Sequence, residues 1–392
     1  MKNLLSSTLA VLLAGGAFAA PLLPRGDDEI VEVLPVTGGY AAEQKKLRRQ
    51  LAQQPRDATT ALALSRSTLA RARHDGDARL AGQALGALAA WDGDANAPVE
   101  IRLQRAVLRQ YLHEFDASVA ELEGLLRASP RHPQALLTLA TVLRVQGRYD
   151  ESDAQCLRLT DAGAPLYARA CLAENRGLRG EWDAARREFD ALIAAQPANA
   201  GWVNWIRTSL GELEARAGRP QQAAATLRAA LKDADDSYTR FALADVLIDQ
   251  QRWAEARQLL GSTPLELDSE ASLLRRAIVA AAAKTDDAAA LRETMAARYA
   301  QSALRPEAVN VHARERSRFA LEVAGDAARA LALARVNLES QREPVDFVVM
   351  DRAARAAGDA KAQAEVAALA ERVGLRDARL SEPAKAAAKG RS

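Results

Sequence analysis

Cysteine is nearly missing from this chain: Cys156 and Cys171 are the only two among 392 residues. Histidine is almost as rare, and His74, His113, His132 and His312 lie far apart in sequence. No pair of these has metal-ligand spacing, HExxH does not occur, and the absence of CxxC argues against a redox catalyst. Walker-type glycine loops and the G-x-S-x-G turn are missing as well. Carboxylates such as Glu174, Glu212 and Asp245 are abundant, but none forms an acid–base pair with a neighbour. No catalytic residue, metal or cofactor is therefore expected. Charge of one sign is lacking too: 53 basic and 51 acidic residues are interspersed, for a formal net charge of +2. Nucleic-acid binding shows a clustered basic footprint, and none is visible.

Long apolar runs are also scarce. Leu4 to Ala14 is too short to span a bilayer, which takes about 18 or more apolar residues. With Lys2 before it and Ala17-Phe18-Ala19 after it, this run reads as a secretory signal peptide over 1–19, cut after Ala19. No cysteine follows the cut, so no lipid anchor and no membrane span are expected after cleavage. The Ala/Arg-rich composition points to a bacterial periplasmic protein, with full secretion as the alternative. Residues 20–40 carry Pro21, Pro24 and Pro35 and the β-type run Ile30–Leu34, so they read as extended. They form either a tether or an extended segment, Ile30–Leu34, laid along the first repeats or in the groove.

What the chain does have is a rhythm. Between Pro133 and Pro165 an apolar run with helical spacing (Leu136, Leu139, Ala140, Leu143) reaches Gly147. Tyr149 follows two residues later, and a second amphipathic run (Ser152, Cys156, Leu159) ends at proline. The position two after the turn residue recurs at Ala78, Phe115, Tyr149, Trp182, Pro220, Trp253, Asp286, Ala327 and Ala360. Subtracting successive numbers gives 37, 34, 33, 38, 33, 33, 41 and 33. Small residues at Ala140 and Ser152 stand where the two helices of a unit cross.

This pattern resembles the tetratricopeptide repeat, a helix–turn–helix unit of about 34 residues. The resemblance covers 58–375 and is strongest over 99–263. It implies an all-α fold, a right-handed α-solenoid of about eight to nine such repeats. The expected organisation is N-terminal helices and a degenerate first repeat over 41–98, with a first helix from Ala41 to Leu51. Well-formed repeats follow over 99–264, then Ala-rich degenerate repeats over 265–380 and a frayed tail over 381–392. Where alanine replaces the aromatics, less area is buried per unit, so the C-terminal end is expected to be softer. The loop Trp91–Asn96 has the acidic opening of a calcium site but lacks its glycine and closing glutamate.

In the family, helix A of each repeat lines a concave groove. Carried over, its exposed places hold Leu103 and Tyr111, Leu137 and Arg144, Tyr167 and Glu174, Trp205 and Glu212, then Tyr238, Phe241 and Asp245. From these, Tyr111, Arg144, Tyr167, Glu174, Trp205, Glu212, Tyr238, Phe241 and Asp245 are the candidate groove residues. Aromatic anchors with interspersed charges suit a peptide or a protein segment; the other reading is that several rings cover adjoining helices. The ninth places read Val107, Thr141, Glu174, Glu212 and Asp245, without asparagine, so gripping of a terminal carboxylate is not expected. Cys156 and Cys171 fall on adjoining helices of neighbouring repeats, where they form a disulfide or fill core positions as thiols. The function these features imply is a non-catalytic exported adaptor for a protein or peptide partner, assisting envelope assembly or transport. The alternatives are a glycan-binding subunit of an envelope polysaccharide export machine and the repeat platform of an exported hydrolase. No leftover domain is large enough to host a hydrolase.

Overall fold

The structure is a computed structural model that describes residues 38–75, 78–94, 96–196, 198–265, 268–304 and 312–380. The signal peptide expected over 1–19, the Ile30–Leu34 run and the tail 381–392 lie outside the described residues. The chain divides into residues 1–46 and 47–392, and everything below concerns the second unit unless stated otherwise.

Nineteen α-helices and no strand occur among the described residues. They are α1 (Gly38–Gln53), α2 (Ala58–Asp75), α3 (Ala78–Gly86), α4 (Val99–Tyr111), α5 (Phe115–Ala128), α6 (Pro133–Val145), α7 (Tyr149–Asp161), α8 (Pro165–Leu178), α9 (Trp182–Ala195) and α10 (Ala200–Arg216). Then come α11 (Pro220–Asp233), α12 (Ser237–Asp249), α13 (Trp253–Leu260), α14 (Glu270–Ala283), α15 (Ala288–Ser302), α16 (Ala313–Arg318), α17 (Ala327–Ser340), α18 (Pro344–Ala356) and α19 (Ala360–Val373). From α2 onward they pair as nine helix hairpins, in agreement with an α-solenoid of helical repeats. Helix α1 starts at Gly38, so Gly38–Tyr40 are helical where the proline-broken pattern suggested extended chain.

The turns explain why the rhythm is so regular. Every described turn position has a positive φ, whether it is Gly147 (74°), Gly180 (89°), Gly218 (72°), Gly325 (71°) and Gly358 (66°) or His113 (61°), Gln251 (58°) and Lys284 (55°). This left-handed residue satisfies the carbonyls left open at the end of each helix A. Two residues later helix B begins, at Phe115, Tyr149, Trp182, Pro220, Trp253, Ala327 and Ala360. The seventh unit departs: helix B starts at Ala288 rather than Asp286, because Asp287 takes the N-cap place. The long 41-residue interval after it contains a π turn, Phe319–Val323, in which the Ala324 N–H donates to Phe319 O at 2.9 Å. Pro133, Pro165, Pro220 and Pro344 stand first in their helices, where a missing N–H costs nothing.

Small side chains let the paired helices touch. Ser118 Oγ donates to Ala106 O, Ser152 Oγ to Ala140 O and Ser317 Oγ to Ala330 O, each at 2.8 Å. Ala185 and Ala256 fill the matching place in other repeats and are fully buried. The facing place on helix A, held by Ala140 in its repeat, is Gly211 in α10, where an added Cβ would lie 2.6 Å from Leu227 Cγ. Around these crossings Leu, Phe and Ile side chains such as Phe189, Leu192 and Ile206 are sealed from water, each worth about 1.5–3 kcal/mol.

The repeat pattern does not show what the last hairpins do. They fold back onto the middle ones. Tyr149 and Leu178 share one core with Phe347, Met350, Val366 and Leu375. Val145, Leu178 and Arg216 are the last residues of α6, α8 and α10, so their carbonyls have no donor within the helix. Each is met by a returning backbone N–H: Arg342 to Val145 O at 2.7 Å, Arg376 to Leu178 O at 2.8 Å and Ala378 to Arg216 O at 2.7 Å. Side chains reinforce the contact, with Arg318 on Asp245 and Arg352 on Asp249, both at 2.9 Å. The C-terminal end thus shares its interior with residues 133–216. The fold-back also corrects the reading of the histidines. His113 and His312, distant in sequence, have ring centroids 6.5 Å apart.

Candidate functional site

The fold-back closes one side of a half-open cavity of about 510 Å³ on the concave side. Helix α10 supplies one wall, because Trp205, Ser209, Glu212 and Arg216 recur every three or four residues along one face. Arg144 of α6, Glu174 of α8 and Tyr238 of α12 come from the neighbouring A helices. Glu343 and Pro344, at the start of α18, close the far side.

The charges inside are unevenly spent. Arg144 is ion-paired with Glu174, which also accepts from Ser209 Oγ at 2.7 Å. Glu343 is ion-paired with Arg314. Glu212 accepts one hydrogen bond, from the Tyr238 hydroxyl at 2.7 Å. Burial pushes the Glu212 carboxyl above its ordinary range, and the negative charge of Glu212 in turn holds the Tyr238 hydroxyl well above its own. Burial lowers the Arg216 guanidinium, against the pull of Glu212.

Aromatic surface is unspent as well. Tyr238 is 60% exposed and Tyr167 44% exposed, large values for rings on helices of a packed repeat. Tyr167 stacks on Trp205 with centroids 5.8 Å apart and meets Trp202 edge-on at 5.3 Å. Trp202 is fixed from behind by its Nε1–H, which donates to Leu192 O at 2.9 Å. Part of the aromatic group is therefore packing, and part faces outward.

Below the cavity lies a second polar cluster. Arg314 Nε donates to Asp346 Oδ1 at 2.6 Å, and Asn337 Nδ2 donates to the same oxygen at 2.7 Å. Burial pushes the Asp346 carboxyl up to about 7 against the pull of Arg314, and the nearby charge of Glu343 adds to the rise. Burial also works against ionisation of Asp245, but Arg275 and Arg318 outweigh it and hold that carboxyl at about 2.

Of the nine groove residues read from the sequence, the structure brings Arg144, Glu174, Trp205, Glu212 and Tyr238 to the cavity, with Tyr167 stacked against its edge. It places three elsewhere. The Tyr111 hydroxyl donates to Ala72 O at 3.1 Å, and its ring packs on the first hairpin. Phe241 lies under the Arg275 guanidinium at 4.8 Å, and Asp245 is held by Arg275 and Arg318. These side chains serve packing and the fold-back. Arg216 and Ser209 escaped the sequence reading although they continue the periodicity of Trp205 and Glu212. Glu343 had no local signal at all, since only the fold-back brings it here. Cys156 of α7 and Cys171 of α8 are disulfide-bonded, with Cα atoms 5.7 Å apart. Asp94, in the acidic loop, is ion-paired with Arg56.

No helix among the described residues is long and apolar enough to cross a membrane. Residues 214–278, spanning the end of α10 to the middle of α14, match the family model of the tetratricopeptide repeat. No curated protein sequence shows significant similarity to the chain. Among solved structures, a tetratricopeptide repeat protein from Parabacteroides merdae is 16% identical, with 65% of this chain and 91% of that one covered and a TM-score of 0.45. The pilF protein of Pseudomonas aeruginosa is 15% identical, with 51% of this chain and 91% of that one covered and a TM-score of 0.37.

Proposed function

We propose that the chain, which matches the tetratricopeptide repeat over residues 214–278, is an exported, non-catalytic scaffold that holds a protein or peptide segment in its concave cavity. The observation that carries this reading is a recess lined by Trp205 and the exposed Tyr238, with the exposed Tyr167 stacked on Trp205 at its edge and with unspent charge inside. Large rings already held by neighbours lose little freedom on binding and supply most of the energy at such surfaces. The sequence of Met1–Ala19 and the Cys156–Cys171 disulfide support export to an oxidising compartment such as the periplasm. In that location we assign the scaffold to envelope assembly or transport.

The test is capture of partners from envelope extract by the mature chain, with identification by mass spectrometry. Replacing Trp205 and Tyr238 together by alanine leaves helicity unchanged and reduces capture at least tenfold. Unchanged capture by the double variant would remove the cavity from the function. Retention of glycan rather than protein would replace this reading with that of a polysaccharide-binding subunit.

A further inference from the structure

Arg216 is held by no ion pair among the described residues, although Glu212, Asp377 and Glu174 act on its guanidinium through space. Its side chain ends α10, is only 8% exposed and lines the cavity, yet its Nε meets no acceptor. Every nearby carboxylate but one is engaged: Glu174 by Arg144, Glu343 by Arg314 and Asp377 by Arg379. The exception is Glu212, one helical turn earlier on the same face. Glutamate followed four residues later by a basic residue is the favourable order for a helical ion pair. The two remain unjoined, and Glu212 turns to the Tyr238 hydroxyl instead. A buried cation held beside a half-buried anion without contact is costly to the fold. That arrangement is worth keeping where a ligand bridges them.

We infer that the cavity binds a small zwitterion, its carboxylate on Arg216 and its ammonium on Glu212, with an apolar side chain against Trp205 and Tyr238. A lone anion would face Glu212, and a lone cation would face Arg216. A molecule carrying both charges satisfies the two and leaves the site's charge balanced. Guanidinium and carboxylate match in a two-pronged hydrogen bond, and an ammonium gains further from the aromatic faces beside it. A cavity of about 510 Å³ lies within the ordinary range of small-molecule sites. Free α-amino acids and dipeptides share this chemistry. The inference goes beyond partner capture, because it needs no macromolecule.

The experiment uses the mature full chain, with calorimetric titration and thermal unfolding against four probes. L-phenylalanine and the dipeptide Phe-Phe carry both charges, 3-phenylpropionate lacks the ammonium and phenethylamine lacks the carboxylate. At least one zwitterion is expected to bind and raise Tm, with each truncated probe at least tenfold weaker; which zwitterion binds better separates the two sources. Glu212→Gln is expected to lose the discrimination against 3-phenylpropionate. Arg216→Met removes an unpaired buried charge, so it is expected to raise the Tm of the ligand-free protein while abolishing the ligand-induced shift. A structural arginine would do the opposite, and a lower Tm for Arg216→Met overturns the inference. So does equal binding of 3-phenylpropionate and phenylalanine, or no Tm shift with either zwitterion. Loss of partner capture in the Trp205/Tyr238 variant, with no amino-acid binding by the parent, would leave the scaffold reading standing and this one refuted.

Discussion

The hairpins over 99–264 and those over 265–380 are built by the same rule from different material. In the first group helix B opens on a large ring, Phe115, Tyr149, Trp182 or Trp253, in every unit but the one that opens on Pro220. In the second it opens on Ala288, Ala327 or Ala360, which seal almost nothing. Stacking in file should then be enough for the first group and too little for the second. The structure supplies the difference by returning the alanine-rich hairpins to the aromatic ones, so that Phe347 and Met350 are buried against Tyr149 and Leu178. A solenoid weak at one end can be stabilised by contacts that its repeat sequence does not encode.

The largest break in that comparison comes from Tyr149, which belongs to a middle hairpin but sits in the core of the last ones, 3% exposed. Tyr149→Ala should cost about 3–5 kcal/mol, the range for removing a buried aromatic ring. In hydrogen exchange, amides of 344–380 should lose protection first, ahead of those in 99–132. Equal loss in both regions would mean that the fold-back contributes little in solution. Next comes the disulfide, confined to the middle group. It closes a loop with a sequence separation of 15, and a loop of that size is worth about 3 kcal/mol in the chain-entropy picture. Reduction should lower the unfolding free energy of the whole chain, extrapolated from urea, by that amount without loosening 344–380 selectively.

How much of this was legible can be judged residue by residue. Turn positions were readable because one left-handed residue per unit is a local demand, met by glycine or, at His113, Gln251 and Lys284, by a residue forced into the same geometry. Cavity residues on α10 were readable in principle, since Arg216 is the next step of the ladder through Trp205, Ser209 and Glu212. The returning contacts were not. A bond from Arg376 to the Leu178 carbonyl joins residues with no shared local pattern, and it satisfies a group that every helix leaves open. For the same reason Asp245 and Phe241 looked like groove residues. Their exposure in a single repeat is real, and only Arg275 and Arg318 from later hairpins cover them.

The two regions should also respond oppositely to pH. Asp346, on the returning side, has its folded-state carboxyl raised to about 7 from the ordinary 3.8. The folded state therefore keeps a proton that the unfolded chain has released. Its contribution is fully present below about pH 4, and it is lost as pH rises towards 7, by up to about 1.4 kcal/mol per unit for one proton. Asp245, held at about 2, behaves in reverse: its contribution is present above 3.8 and fades as pH falls towards 2. Urea unfolding at pH 4, 5.5, 7 and 8 should show a falling slope in the parent that Asp346→Asn flattens. An unchanged slope in the variant would assign the dependence to other groups.

The finest probe compares two glycines of equal backbone geometry. Gly147 and Gly358 occupy the same turn place with φ of 74° and 66°. Alanine at either position must adopt the left-handed conformation, a cost of about 1–2 kcal/mol common to both. Their surroundings differ. A Cβ at Gly358 meets nothing within 4 Å, whereas one at Gly147 lies 3.0 Å from Val373 Cγ1, at the end of the last helix. Gly147→Ala should therefore cost more than Gly358→Ala by about 1 kcal/mol, the lower end of overpacking. Because the backbone term cancels, the difference reports only the pressure between the returning hairpin and the middle one. Identical losses in the two variants would show that Val373 does not rest on that turn in solution.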